Sequence, residues 1–284
     1  MKKILIIGEK SYLSVKFREH IKEKKDLLKY EVISVRNNDW KNMDFSKFDS
    51  VLFFAGIAHV KETEKNQYLY YKVNYELAYN IAQKSLIEGV NQYIYLSSMS
   101  VYGKNIDKIT SDTIENPNSE YGKSKLKAEK EISKLENKGF KVALIRPPMV
   151  YGNKGVGNYQ KLSKANKFLR FFPNIKNKRS MIYVENLSEF LMQVILKGKS
   201  GIMHPQNIEY VCTTELYRTI SECHNRKNLF FPFNRKILGL ININILNKLF
   251  GDLYYEEKIS KYDFEYNIVN FERSIQKSEG EINE

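Results

Sequence analysis

Two cysteines in 284 residues are too few for a disulfide framework, and Cys212 and Cys223 form no C-x-x-C pair. That scarcity points to the reducing cytoplasm. Long apolar runs are missing as well. Stretches such as Val51 to Ala58 fall far short of the roughly 20 residues a membrane-spanning helix needs, so no membrane span is expected. After Met1-Lys2-Lys3 only four apolar residues precede Gly8 and Glu9, so the opening reads as a buried strand rather than a secretory leader. No internal repeat, no Gly/Ser-rich or Pro-rich linker and no metal-ligand cluster stands out. Acidic residues are outnumbered, 33 against 46 basic, for a formal net charge of +13. The lysines are dispersed among asparagines and tyrosines, without the basic stripe and aromatic platforms of a nucleic-acid binder. No nucleic acid is expected as a partner. A positive field suits an anionic small substrate or an acidic membrane surface.

What is present is an ordinary globular composition, 42% hydrophobic and 28% charged, enough for one large core or a core plus a smaller lobe. Ile4 to Ile7, Tyr30 to Val35, Ser50 to Phe54, Tyr93 to Leu96 and Lys141 to Ile145 read as buried strands. Helical spacing joins Leu77, Ile81 and Leu86, with Gly89 at the helix end, and again Leu126, Ala128, Ile132 and Leu135, ending at Gly139. The alternation predicts an α/β fold, a Rossmann-type doubly wound parallel sheet with a smaller C-terminal substrate-binding lobe. The dinucleotide-binding part is expected at 1–155 plus about 179–198, the other lobe at about 156–178 plus 199–284. Residues 237–250 are apolar with scattered Asn and Lys, and read as a core helix in preference to a membrane-surface one.

A nucleotide-binding turn should be glycine-rich, because the backbone must approach a pyrophosphate and aim helix N-terminal amides at it. Here only Gly8 stands, and Ser11 and Ser14 occupy the next two glycine positions. The second strand leads into Arg36 instead of the acid that accepts from an NAD ribose, which favours the extra phosphate of NADP. The strongest feature is Tyr121-Gly122-Lys123-Ser124-Lys125 at a helix head. Tyr121 and Lys125 leave the same helix face. An ammonium beside a phenol stabilises the phenolate and lowers its pKa from about 10 toward working pH, as an acid/base tyrosine requires. Ser97-Ser98-Met99-Ser100 sits at the carboxyl end of the fourth strand, where a hydroxyl can face the same cleft.

This combination resembles the extended short-chain dehydrogenase/reductases, the NAD-dependent sugar-nucleotide epimerases and dehydratases. Supporting segments are Phe54-Ala55-Gly56-Ile57-Ala58-His59, Asn74, Arg146-Pro147-Pro148-Met149-Val150-Tyr151-Gly152 and Arg179-Ser180-Met181-Ile182-Tyr183-Val184-Glu185-Asn186. The likeness covers roughly residues 3 to 195. Within the family, Arg146 to Asn186, with Gly157-Asn158-Tyr159-Gln160, is most similar to capsular-polysaccharide enzymes that reduce the 4-keto group of a UDP-linked 6-deoxy-N-acetylhexosamine. UDP-glucose 4-epimerases are slightly further away.

The resemblance implies a UDP-sugar substrate, NADP(H) in preference to NAD(H), and a triad in which Ser98 binds the C4 oxygen, Tyr121 moves its proton and Lys125 holds the nicotinamide ribose. It implies cofactor contacts at Gly8, Ser11, Tyr12, Leu13, Arg36, Ala55, Gly56, Asn74 and Pro147, and substrate contacts at Ser98, Met99 and Ser100. Asn158 and Arg179 match positions that hold the diphosphate, where a planar guanidinium suits the chemistry. His59 reads as a loop residue rather than a catalyst. Dehydratases carry an Asp-Glu pair where this chain has Met99-Ser100, so dehydration is disfavoured. Family members often form homodimers through the tyrosine helix and the helix before it, where Tyr68, Tyr71, Tyr75 and Tyr79 offer aromatic surface. Reduction at C4 leads, 4-epimerisation is the alternative, and a catalytically silent dinucleotide-binding protein is the third reading.

Overall fold

The computed structural model describes residues 1–280 except 37, 59, 61, 104–105 and 234–249. His59 and most of the apolar 237–250 segment lie outside the described residues; Phe250 at its end is buried. Chain order begins β1 (Lys2–Ile7), α1 (Tyr12–Ile21), β2 (Leu28–Ile33), β3 (Ser50–Phe53), α2 (Gln67–Tyr70), a π-helical turn (Tyr71–Leu77), α3 (Ala78–Ile87) and β4 (Gln92–Leu96). It continues through β5 (Lys108–Ile109), α4 (Glu120–Ser133), β6 (Lys141–Ile145), β7 (Met149–Tyr151), α5 (Asn158–Asn166), β8 (Phe171–Asn174), β9 (Met181–Tyr183) and α6 (Val184–Lys197). The last elements are β10 (Gly201–Met203), α7 (Thr213–Cys223), β11 (Leu229–Pro232), β12 (Tyr254–Tyr255) and α8 (Phe271–Glu279).

Six strands form one parallel sheet in the order β10-β6-β4-β3-β1-β2. Alternate side chains go to opposite cores, as the strand period of two requires. Ile4, Ile6, Leu52, Ile94 and Ile145 pack with Phe17 of α1 and Phe190 and Val194 of α6. Leu5, Ile7, Val51, Tyr93 and Leu144 pack with Ala78 and Ile81 of α3 and Ala128 and Ile132 of α4. Helices thus cover both faces of a doubly wound sheet. Because β2 and β3 flank β1 on opposite sides, the chain reverses direction there and leaves a crevice at the strands' carboxyl ends.

The strict strand–helix alternation does not hold throughout. β2 crosses to β3 through a single 3₁₀ turn, Asn38–Lys41, and Trp40, Phe45 and Phe48 fill the space a helix would cover. β2 also ends at Ile33, two residues before the expected Val35. The α4 helix stops at Ser133, not at Gly139; the Asn137 side chain instead closes a turn by accepting from the amides of Gly139 and Phe140. Gly89 does take the left-handed conformation just past α3, φ +78°. A third core lies beyond the sheet, where Tyr151, Tyr159, Phe172, Tyr183, Tyr217 and Ile275 pack together. No described helix is long and apolar enough to cross a membrane.

Candidate active site

Tyr121 enters the site from the first turn of α4. Ser119 caps that turn by accepting from the Gly122 amide at 3.1 Å. The helix head is pressed on the Ser98–Ser100 turn so closely that a Cβ on Gly122 would stand 2.6 Å from the Ser100 carbonyl oxygen. Glycine at this position is what lets the two catalytic candidates meet, and its sequence neighbours gave no sign of it. The Ser100 amide donates to Ser98 Oγ at 3.1 Å. Burial pushes the Tyr121 phenol above its ordinary range, the neighbouring Ser98 hydroxyl opposes this, and Tyr70, edge-on at 6.4 Å, adds to it.

That direction corrects the expected depression of the tyrosine pKa by Lys125. The Lys125 ammonium is engaged elsewhere: it donates to the Leu96 carbonyl at 2.6 Å and lies 4.5 Å from the centre of the Tyr95 ring. Only 4% of Lys125 is exposed, and burial pulls its own pKa down to about 7, with Glu129 opposing. A lysine kept in such a place stays poised between charged and neutral near pH 7.

Gly56 and Asn74 converge on the same lysine. A Cβ on Gly56 would lie 3.2 Å from Asn74 Oδ1 and 3.6 Å from Lys125 Nζ. Asn74 is fully buried in the π-helical turn; it accepts from the Ile57 amide at 2.8 Å and donates to Ser124 Oγ at 3.1 Å. π turns of this kind gather at functional sites because the extra residue redirects a side chain. Ser124 and Tyr95 are site residues that sequence reasoning did not single out; Ser124 has the signal of lying between Tyr121 and Lys125 on one helix.

Gly8 closes β1 with φ +108°, and a Cβ there would meet the Ala55 amide nitrogen at 2.8 Å. Only glycine permits both that backbone conformation and that approach. The Ser11 amide returns to the Gly8 carbonyl, and α1 starts at once, its N-terminus at the crevice. Ser14 is wholly buried and its Oγ has no partner among the described residues. These features fit a dinucleotide: a glycine turn, a helix N-terminus and the sheet's reversal point come together. Arg36 is exposed just beyond β2. Pro147 joins the site through its carbonyl, which accepts from the Met99 amide at 3.0 Å. Tyr12 is drawn away from this group; its hydroxyl donates to the Asn153 carbonyl at 3.1 Å and lies against Gly152 and Gly155. Leu13 is packed between two cores. Met99 is buried in a small cluster with Val101, Tyr102 and Tyr255.

Asn158 and Arg179, distant in sequence, line one cleft with Met149, Met181 and Thr213. Burial lowers the Arg179 pKa, Asp252 opposing, and Arg179 Nη1 donates to the Gly251 carbonyl at 3.0 Å. A guanidinium short of counter-charge in a part-buried cleft suits an anion. Tyr71 and Tyr75 lie along α4 under Lys127, whose Nζ is 4.6 Å from the Tyr75 ring centre, whereas Tyr68 is 62% exposed.

Two curated relatives span most of the chain. It is 26% identical over 79% of its length, and 70% of the relative's, to the N-acetyl-α-D-glucosaminyl-diphospho-undecaprenol 4-epimerase of Escherichia coli O157:H7. To the UDP-glucose 4-epimerase of Vibrio cholerae it is 28% identical over 82% of its length and 73% of the relative's. Among solved structures, the UDP-N-acetylglucosamine 4-epimerase of Bacillus cereus superposes with a TM-score of 0.75 at 18% identity, covering 98% of this chain and 96% of that one. The NADP complex of dTDP-4-dehydrorhamnose reductase from Bacillus anthracis gives 0.65 at 20%, covering 89% and 94%. Both are likenesses of fold. Residues 13–207 match a family model, and the chain belongs to the NAD dependent epimerase/dehydratase family.

Proposed function

We propose that this chain exchanges a hydride and a proton at C4 of a diphosphate-linked sugar, reducing the 4-keto group of a UDP-sugar for polysaccharide synthesis in the cytoplasm. The observation that carries the reading is the convergence of the Ser98 hydroxyl, held by the Ser100 amide, with the Tyr121 phenol beside it and Lys125 buried one helical turn away. When bound, the nicotinamide supplies or accepts the hydride. Ser98 orients the C4 oxygen, and Tyr121, with a phenol pKa above its ordinary value, holds its proton until that oxygen takes it. Met99 and Ser100 stand where an acid and a base would be needed to eliminate water, so they border the sugar without dehydrating it. Asn158 and Arg179 take the diphosphate. The Gly8 turn, Ser11, Ala55, Gly56, Asn74 and Lys125 hold the dinucleotide. Arg36 tilts the choice to NADP(H), as its position just past β2 suits a 2′-phosphate.

The two lobes are divided at 1–155 with about 179–198, and about 156–178 with 199–284, so that substrate and dinucleotide meet between them. The protein acts as a homodimer, with Tyr68 and the α4 face at its twofold axis.

A second reading, 4-epimerisation, draws support from these two curated relatives, both of them 4-epimerases. One of them acts on a lipid-carried sugar, so the diphosphate is the element the substrates share. A silent scaffold is disfavoured: burying Lys125 costs stability that a protein without chemistry has no reason to bear.

The test is to identify any nucleotide that copurifies with the protein, then to titrate the stripped protein with NADPH and NADH. An empty protein preferring NADPH supports the reductase; retained NAD supports the epimerase; binding of neither removes both. Tyr121→Phe should abolish turnover while dinucleotide affinity stays within a few-fold.

A further inference from the structure

The ribbon of β8 and β11 inverts the usual alternation of buried apolar and exposed polar residues. Phe172 and Phe230 turn inward onto Tyr217, with ring centroids 3.8 and 6.5 Å from it. Phe171 and Leu229, paired in register, and Phe231 beyond them turn outward, 67, 62 and 42% exposed. Phe168 and Leu169, just before β8, are 82 and 53% exposed. Single exposed apolar residues are ordinary, but five along one edge mark an interaction surface.

The charge on the segments that form this edge has one sign. Residues 158–174 and 223–233, the described segments that build it, contain no aspartate or glutamate. Lys161, Lys164, Lys167, Arg170 and Lys227 are all exposed beside the apolar face. Of the carboxylates on the packed elements, Glu215 pairs with Arg218 at 2.7 Å and Glu279 accepts from Tyr159, Ser163 and His224, whereas Glu222 near the end of α7 is exposed and is outnumbered by the five cations.

We propose that this edge docks on an anionic lipid bilayer, its aromatics entering the headgroup boundary and its lysines lying on the phosphates. A second copy of the chain suits the face poorly, since twofold pairing would set Lys164 and Lys167 of both copies against each other. The α5 helix begins at Asn158 in the Arg179 cleft and ends at the docking edge. At about 1.5 Å per residue its length is about 14 Å, which places the cleft within reach of a glycosyl diphosphate standing on a lipid. That last consequence rests on reading Asn158 and Arg179 as diphosphate ligands; the docking itself does not.

The full chain is to be sedimented with vesicles of phosphatidylcholine alone and of phosphatidylcholine with phosphatidylglycerol. Partitioning is expected to be at least ~10-fold stronger onto the anionic vesicles, at about five-fold per contributing lysine, and to weaken with salt. F171E with L229E, and separately K164E with K167E, should each reduce it by at least ~10-fold while melting temperature and dinucleotide binding hold. Failure to bind, equal binding to both vesicles, or variants that bind like wild type would overturn the proposal. So would a wild-type dimer, seen in sedimentation velocity without vesicle binding, that F171E with L229E dissolves; the face would then be an interface between copies.

Discussion

Arg146 at the end of β6 and Glu129 on α4 form a buried ion pair, Nη2 to Oε2 2.6 Å, with side chains only 2 and 3% exposed. Glu129 continues the helix face of Tyr121 and Lys125 by one further turn. The pair therefore fixes the helical register of the candidate catalytic residues against the strand ends. Arg146 also donates to Glu115 and to the Tyr102 hydroxyl, which extends the clamp to the segment after Ser98.

Glu129→Gln should destabilise the protein by about 3 kcal/mol, the low end for breaking a buried pair, because Glu115 still faces Arg146 at 2.8 Å. Urea unfolding checks the magnitude. A loss under about 0.5 kcal/mol would show that the pair contributes no more than a surface bridge.

Gly122→Ala reverses the usual rule that alanine stabilises a helix interior by up to about 1 kcal/mol. Its Cβ would stand 2.6 Å from a backbone oxygen of Ser100 and 2.9 Å from Pro117 Cβ. The expected result is a loss of about 2 kcal/mol with a fall in kcat of at least ~10-fold, as Tyr121 moves off Ser98. Calorimetry and steady-state kinetics together test it; a stabilised, active variant would contradict the close approach.

Lys125 has a folded pKa of about 7 against 10.5 for an ordinary lysine. Between those values the unfolded chain binds the proton that the folded chain has released, so stability rises with pH across this window. The gain is limited to about 1.4 kcal/mol per pH unit. Lys125→Met should lack that rise, so wild type gains about 2 kcal/mol on the variant between pH 7 and pH 9. Parallel slopes in urea midpoints for the two proteins would refute the buried, depressed lysine.

His204 is held neutral: burial first, then Arg146, pull its pKa down to about 3, Glu115 opposing. Its Nε2 lies 2.7 Å from the Tyr102 hydroxyl. Because Arg146 can only donate to that oxygen, the hydroxyl proton goes to Nε2 and the other ring nitrogen carries the hydrogen. As pH falls below about 6.5 the unfolded chain takes up a proton the folded chain refuses, so stability declines toward pH 3. Glu189 adds to the decline below its ordinary range: burial would raise it, but His20, Gln193 and Lys24 hold it at about 2. Thermal melts of His204→Gln should fall less steeply than wild type between pH 6 and pH 4, and an equal slope would place the acid sensitivity elsewhere.

Much of the fold was legible in the chain. Continuous apolar runs such as Ile4–Ile7 and Val142–Ile145 mark strands buried on both faces, and a four-residue spacing places Tyr121 and Lys125 on one helix face. These signals are local, because strand and helix periods act over a few residues. Tertiary contact decided the rest. Trp40, Phe45 and Phe48 replace a crossover helix, and a π turn brings Asn74 to Lys125. The state of the Tyr121–Lys125 pair was set in the same way. Spacing implied an ammonium lowering a phenol's pKa, whereas the folded chain turns that ammonium onto the Leu96 carbonyl, buries the lysine and partly desolvates the phenol. Desolvation depends on what the whole chain packs around an atom, and residues 29 positions away supply that surrounding only once the sheet has formed.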